Sequence, residues 1–248
     1  MHEDAYYALH ALERHHWWFV GARLVYRTLL KLGLGGATGS LRMLEIGSGT
    51  GGNLSLLSEY GPTVGVEPSW LALKLNEFQP ELGLVQAQAE ALPFVKNCFD
   101  GVNLLGVIEH LENDRAALEE SLRVCRKSGA VTLLTSALPV LWSHHDVANR
   151  HKRRYMKVQL AQLLADAGLQ PLRLSYLNFF IFLPVLIVRM WQRFRAIPAK
   201  YDMGTSRLLI NQIMILLLRF EAWLLKSIEL PIGVDLVAVC RIRKDSSR

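Results

Sequence analysis

The stretch LRMLEIGSGTGGNLSLL, residues 41–57, decides the fold. A short apolar run ends in a turn with four glycines in six residues, and a leucine-rich helical pattern follows at once. Strand, glycine-dense turn and helix in that order form the opening unit of an open α/β sheet whose ligand sits at the turn. Glycine lets the backbone approach a ligand closely, and the helix start offers free N–H groups. The spacing alone is ambiguous. Gly47, Gly49 and Gly52 satisfy GxGxxG, whereas Gly47, Gly49 and Gly51 satisfy GxGxG.

Outward from this unit, apolar runs alternate with helical patterns. PTVGVEP (62–68), LGLVQAQ (82–88), FDGVNLLGVI (99–108) and AVTLLTSA (130–137) read as strands. SWLALKLNEF (69–78), RAALEESLRVCR (115–126) and YMKVQLAQLLADAG (155–168) read as helices, the last ending at Gly168. LQPLRLSYL (169–177) and VDLVAVCRIR (234–243) complete seven strands. Apolar strands separated by helices predict an α/β fold with a mainly parallel sheet covered on both faces. Four regions are expected: an N-terminal helical lid over 1–36, the core over 37–178, a hydrophobic helical insertion over 179–230, and the last strand and tail over 231–248. GLGGATGS (33–40) marks the break after the lid.

Composition narrows the function. The chain has 248 residues, 51% of them hydrophobic, which excludes disorder. Three separated cysteines with no CxxC support neither a disulfide framework nor a zinc site, and point to a reducing, cytoplasmic compartment. The acidic start MHEDAYYALH lacks the pattern of a signal peptide. Residues 1–171 carry 16 basic and 17 acidic side chains, while 172–248 carry 12 and 5. The formal charge of +6 therefore lies in the last third, beside the longest apolar runs. That arrangement argues against nucleic acid and for an anionic membrane surface. NFFIFLPVLIVRMWQRF (178–194) and RLLINQIMILLLRFEAWLLK (207–226) are too interrupted to span a bilayer. An amphipathic hairpin is expected, with Arg207, Asn211, Gln212, Arg219, Glu221 and Lys226 on one half. Arg189, Arg193, Arg195 and Lys200 flank it as a basic rim, which predicts a peripheral protein at the inner membrane face. Packing on the sheet or against a second subunit is the competing reading.

Glu67 ends the second strand, where a carboxylate accepts hydrogen bonds from both hydroxyls of a ribose. NAD and S-adenosylmethionine both carry one. Glu45, just before the first glycine, attracts an ammonium group and repels a pyrophosphate. No Tyr is followed four residues later by Lys, as a short-chain dehydrogenase requires. An adenosyl ligand without phosphates is therefore favoured over NAD.

EIGSGTGGNL, VGVEPS, QAEALPF and FDGVNLLGVIEHL, in that order and spacing, resemble the class I S-adenosylmethionine-dependent methyltransferases. Within that class the chain is most similar to the group containing the ubiquinone and menaquinone methyltransferases. The resemblance covers about residues 41–137, and a seven-stranded Rossmann-like sheet is the fold that comes with it. It implies that Glu45, Gly47, Gly49 and Gly51 line the methionine end and that Glu67 holds the ribose. Ala89 and Glu90 would lie beside the adenine, with Leu105 and Gly106 beneath the cofactor. Many relatives have Asp where this chain has Gln88, whose carbonyl can still accept from the adenine amine. HHWWFVGAR (15–23) and LWSHHDVANRHKRRY (141–155) further resemble bacterial methyltransferases associated with cell-surface polysaccharide or lipid pathways.

Methyl transfer from a sulfonium needs positioning above all. A carboxylate acceptor needs no base, whereas a hydroxyl or acidic carbon does, and histidine is the usual one near neutral pH. His110 is one candidate. His145 or His151, oriented by Asp146, is another. The two adjacent histidines, Asp146 and a later His match no metal-ligand spacing, so no metal is expected. Arg153 and Arg154, with Tyr155, are candidates to hold an acceptor's carboxylate or phosphate. Trp18, with Trp17 and Phe19, is expected to wall the acceptor or cover the cofactor, and Arg23 to reach the site or pair with Glu13. The predicted activity is methylation of a hydrophobic or lipid-linked acceptor, at a carboxyl or hydroxyl oxygen before a quinone-like ring carbon. An NAD-dependent oxidoreductase and a non-catalytic, membrane-bound nucleoside-binding module are the rival readings.

Overall fold

The computed structural model describes residues 3–37, 39–77, 83–195 and 208–243. Seven strands form one sheet: β1 (Met43–Ile46), β2 (Thr63–Val66), β3 (Leu84–Val85), β4 (Phe99–Leu105), β5 (Cys125–Ser136), β6 (Leu169–Leu177) and β7 (Asp235–Ile242). Their order is β3-β2-β1-β4-β5-β7-β6. All pairings are parallel except those of β7, which runs antiparallel to both β5 and β6. The chain order reverses between β1 and β4, so the turns after these two strands open a crevice at their carboxyl ends. β1, β2 and the middle of β5 are buried at every position, which is why they read as unbroken apolar runs.

The helices follow from pattern and caps. α1 (Glu3–Leu12) and α2 (Trp17–Leu34) make up the N-terminal helical region, divided at His16, whose side chain accepts from Trp18 N. The predicted lid accordingly divides. α1 and the start of α2 border the crevice, while the second half of α2 buries Tyr26, Leu29 and Leu30 in the core. α3 (Leu54–Ser58), α4 (Trp70–Leu75) and α5 (Asp114–Val124) connect the first strands, with Ser69 and Asn113 as N-caps. α6 (His144–Ala148) was not read from the sequence. It is five residues long, and a capping box sets it, with Ser143 N donating to Asp146 Oδ2 at 2.8 Å. α7 (Lys157–Asp166) precedes β6, and Gly168 adopts φ +82° behind it.

The insertion forms α8 (Phe182–Arg195) and α9 (Leu208–Leu224). No helix among the described residues is long and apolar enough to cross a membrane. α9 packs on α2, where Gly21 lies so close to Leu218 that a Cβ would sit 2.2 Å from its Cδ1. The polar residues of α9 do not form one solvated stripe as expected. Asn211 accepts from Trp17 N at 2.7 Å, and the buried Glu221 accepts from Asn178 N at 2.7 Å. These inward bonds cap backbone N–H groups that would otherwise lack partners. Outward, Leu209, Ile213, Leu216, Phe220 and Trp223 of α9 and Leu183, Ile187 and Trp191 of α8 are exposed. Arg207 and Lys200 of the predicted polar face and basic rim lie outside the described residues, as does the side chain of Arg195.

Candidate functional site

One cavity of about 1050 Å³ occupies the crevice. Its first end is made by the glycine loop. Gly47, Ser48, Gly49, Gly52 and Asn53 line it, as do Glu67, Gln88, Ala89, Glu90, Leu105 and Gly106. Glu67 is fixed as the sequence position suggested, at the end of β2. Its Oε2 accepts from Gly49 N and its Oε1 from Ser69 N, both at 3.0 Å, and the Tyr6 hydroxyl of α1 adds a contact at 3.3 Å.

Two of the predicted cofactor residues stand behind this surface. Gly51, at φ +93°, is packed under Asn76, where a Cβ would come within 2.3 Å of Oδ1. Its role is to let the loop turn tightly against α4 rather than to face the cavity. Glu45 is buried beneath the loop, with Oε1 accepting from Asn53 Nδ2 at 2.8 Å and Oε2 without a partner among the described residues. Burial pushes its carboxyl up to about 8, against the Asn53 hydrogen bond and with the help of the Glu13 charge.

Glu13 was missed as a site residue. It reaches the loop from the end of α1, accepts from Thr50 Oγ1 at 2.9 Å and lines the cavity. Burial raises its carboxyl too, and that of Glu67. No local pattern marks Glu13, because its partner is 37 residues away. Arg23 adjoins this group, donating to the backbone oxygens of Glu13 and Gly52 rather than to the Glu13 carboxylate. Three carboxyl groups and one guanidinium thus surround the loop. The buried Ser48 Oγ also lacks a partner among the described residues. Such a set suits a compact ligand carrying positive charge, a carboxylate and hydroxyls, and repels a pyrophosphate.

The second end is made after β4, β5 and the start of β7. His110, His145 and His151 converge on it, with the rings of His110 and His151 edge to face at 4.6 Å. Asp146 is fully buried behind them. Its Oδ1 meets His151 Nδ1 at 2.9 Å and Arg154 Nε at 2.7 Å, and its Oδ2 meets Arg189 Nη1 at 3.1 Å. Burial alone would raise this carboxyl. The bond from His151 and the charges of Arg154 and Arg189 instead hold it well below the usual carboxylate range. It is therefore an acceptor only, so the shared proton sits on His151 Nδ1, and in the neutral tautomer Nε2 carries the lone pair. Burial pushes His145 down to about 4 and lowers His110, so both rings are neutral at neutral pH. His145 Nε2 is already engaged by Asn149 Nδ2 at 3.2 Å.

Arg153 and Tyr155 do not face the cavity. Arg153 donates to Asp114 Oδ2 and to the carbonyls of Leu111 and Glu112, and the Tyr155 hydroxyl donates to Asp114 Oδ2 at 2.6 Å. Both tie this loop to the first turn of α5, because adjacent side chains of an extended run diverge. Arg154 does line the cavity, but it is committed to Asp146 and to Ala137 O. Arg189, read from the sequence as a membrane flank, turns inward instead. Asp235 also lines this end, and burial pushes its carboxyl up to about 6. Trp17, Trp18 and Phe19 form an aromatic wall, and Ile181, Pro184, Val185 and Val188 form an aliphatic one along α8.

Residues 44–133 match the family model described as a methyltransferase domain. A demethylmenaquinone methyltransferase of Renibacterium salmoninarum is 26% identical over 121 residues, covering 48% of this chain and 51% of that one. The chain spans about half the length of the curated relatives it matches. Among solved structures, an S-adenosylmethionine-dependent methyltransferase from Archaeoglobus fulgidus has a TM-score of 0.59 at 20% identity, covering 95% of this chain and 98% of that one. The geranyl diphosphate C-methyltransferase of Streptomyces coelicolor A3(2) has a TM-score of 0.59 at 16% identity, covering 88% and 78%. These likenesses carry the fold, and the family match carries the domain.

Proposed function

We infer that this chain, whose residues 44–133 belong to the methyltransferase domain family, is an S-adenosylmethionine-dependent methyltransferase acting on a hydrophobic or lipid-linked acceptor. The observation that carries the reading is one cavity joining two unlike ends: a glycine loop ringed by Glu13, Glu45 and Glu67, and a His151–Asp146 pair. The first end fits S-adenosylmethionine by its chemistry. Glu67 is held to meet the ribose hydroxyls, the partnerless Oε2 of Glu45 suits an ammonium reached through the loop, and Arg23 suits a carboxylate. When bound, the cofactor supplies an electrophilic methyl group whose leaving thioether needs no acid. The acidic ring argues against the dehydrogenase reading, because a pyrophosphate placed there would meet like charge or hold these carboxyls protonated.

The rest of the work falls to the chain. The aromatic and aliphatic walls seat an apolar acceptor and exclude water, which aligns donor and acceptor; such alignment accounts for roughly 7–11 kcal/mol at its upper limit. His151 Nε2 is the open base, and Asp146 stabilises the imidazolium that forms when a proton is taken. A base favours a hydroxyl oxygen or an acidic ring carbon over a carboxylate as the atom methylated. The hydroxyl remains the first choice. The ring carbon is the second reading, favoured by the demethylmenaquinone methyltransferase among the relatives.

Access supports an amphiphilic acceptor. Pro184 and Val188 line the cavity yet stay exposed, so it opens along α8, beside the apolar outer face of α8 and α9. Arg193 and Arg219 are exposed on these helices, and Lys226 is exposed just after α9. Apolar side chains interleaved with basic ones suit the surface of an anionic bilayer, where the chain would take its acceptor. Calorimetric titration with S-adenosylmethionine, S-adenosylhomocysteine and NAD tests the reading. The two adenosyl ligands should bind and NAD should stay silent; NAD binding alone would sink it.

A further inference from the structure

Among the residues that hold Asp146, Arg189 stands apart, because it arrives from the insertion rather than from the sheet. Its Nη1 donates to Asp146 Oδ2 at 3.1 Å and to Leu141 O, two groups more than 40 residues earlier in the chain. Arg154, by contrast, is pinned to the strand ends through Ala137 O at 2.9 Å. The two guanidiniums take different oxygens of the carboxylate. Arg154 shares Oδ1 with His151, while Arg189 shares Oδ2 with Ser143. A carboxylate gripped on one oxygen alone can swing about its Cβ–Cγ bond, and among the described residues Oδ2 would otherwise be held only by Ser143 at the start of the five-residue α6.

We propose that Arg189 is a positioning residue for His151: by fixing Oδ2 of Asp146 it aims Oδ1 at His151 Nδ1, and so keeps the Nε2 lone pair turned to the acceptor. The bond concerned is a charge-assisted one, which is stronger and more directional than a neutral pair. Burial lowers the pKa of Arg189 without neutralising it, consistent with a guanidinium whose charge is matched locally. The same helix carries Val185, Val188 and Gln192 on the cavity wall and Leu183, Ile187 and Trp191 outward. The seating of α8 therefore bears at once on the acceptor wall and on the base. What Nε2 does with its lone pair rests on the methyl-transfer reading; the tautomer does not.

The test is nitrogen-15 imidazole NMR of the full chain labelled at histidine, with H151N assigning the resonance, in the presence of S-adenosylhomocysteine. The wild type should give His151 as the Nδ1–H tautomer with a deshielded, slowly exchanging Nδ1 proton. R189Q should lose that proton signal, and R189K, with a single-headed ammonium, should keep it but shift it. R193Q removes a bond from the same helix to Trp142 O and should leave it unchanged. An Nε2–H tautomer in the wild type, an unshifted signal in both Arg189 variants, or an equal loss in R193Q would each overturn the proposal. If R189Q does not fold, the shift in R189K and its absence in R193Q decide. Calorimetry with S-adenosylhomocysteine on the same samples should give equal affinities for all of them. Failure of the wild type to bind would defeat the methyltransferase reading while leaving the tautomer result standing.

Discussion

At the glycine-loop end of the cavity, the turn is one run of chain shaped by its backbone, and Glu67 beside it is held by backbone N–H groups. At the histidine end, Asp146 and Arg154 of one segment meet Arg189 of α8 through their side chains, and Asp235 of β7 lines the same end. The first construction tolerates loss of one side chain, since the turn is set by φ angles and N–H groups. The second does not. A fully buried carboxylate with two guanidiniums and an imidazole around it is a closed electrostatic unit, and removing its centre strands the buried Arg154 and the partly buried Arg189.

The sharpest way to break the comparison is therefore D146A. Removing one partner of a buried ion pair typically costs about 3–5 kcal/mol, and here Arg154 and Arg189 would both be left. Urea denaturation should show a loss of that order, with the glycine-loop variants costing less. The pH dependence has a definite sign. The folded Asp146 carboxyl lies below its ordinary value, so its contribution is full above the ordinary carboxylate range and fades as pH falls through it. The gap between wild type and D146A should accordingly narrow below about pH 4. A pH-independent gap would mean that the loss is one of packing, not charge.

At the other end, E67A should fold and bind poorly. Hydrogen bonds to a charged group are worth about 1.5–3 kcal/mol, which predicts a rise in the Kd for S-adenosylhomocysteine of roughly 10- to 150-fold. Unaltered affinity would remove Glu67 from the ribose site and leave the glycine turn as the sole determinant.

The same contrast governs what could be read from the chain alone. β6 falls on residues 169–177, as read, and β1 and β2 on their apolar runs, because periodicity and burial are local signals. The glycine loop and Glu67 are legible for the same reason: the strand that ends at Glu67 begins sixteen residues after Gly47. His151 and Asp146 were within reach, being five residues apart on one short helix and the loop after it. Glu13 and Arg189 were not, because their partners lie 37 and 43 residues away and nothing local distinguishes a buried ion-pair arginine from a membrane flank. Arg153 was misplaced through its neighbour: in extended backbone, sequence adjacency argues against a shared face.

A subtler test concerns Glu45, which belongs to the legible end but sits behind the surface. Burial pushes its carboxyl up to about 8, so at neutral pH the free protein holds a proton there. A cationic ligand favours the carboxylate and should expel that proton, up to about one per site. Calorimetric binding enthalpies should then depend on the ionisation enthalpy of the buffer between pH 6.5 and 7.5, and E45Q should abolish the dependence. The sign for folding is the reverse of that for Asp146. A raised carboxyl contributes stability that is complete below its ordinary value and is lost as pH rises towards 8, so E45Q should gain on the wild type over that interval. Buffer-independent binding would move the ammonium away from Glu45.

The smallest effect on the fold is expected on the outer face of the insertion, and it separates two roles that deletion would confuse. Removing 179–226 would take away Arg189, Glu221 and the α9 surface on which Gly21 and Trp17 rest, so loss of activity would be uninformative. The double variant I187E/W223E touches only exposed positions, at 60% accessibility each. Such changes usually alter stability by no more than about 0.5 kcal/mol. Sedimentation with phosphatidylglycerol-containing vesicles should nonetheless fall sharply, while binding of S-adenosylhomocysteine stays at the wild-type level. Wild-type association should itself weaken as salt rises, since the basic side chains among these apolar ones act through a screened field. If the variant sediments as the wild type does, the apolar face serves a protein partner or a second copy, and the acceptor must then reach the α8 opening from solution.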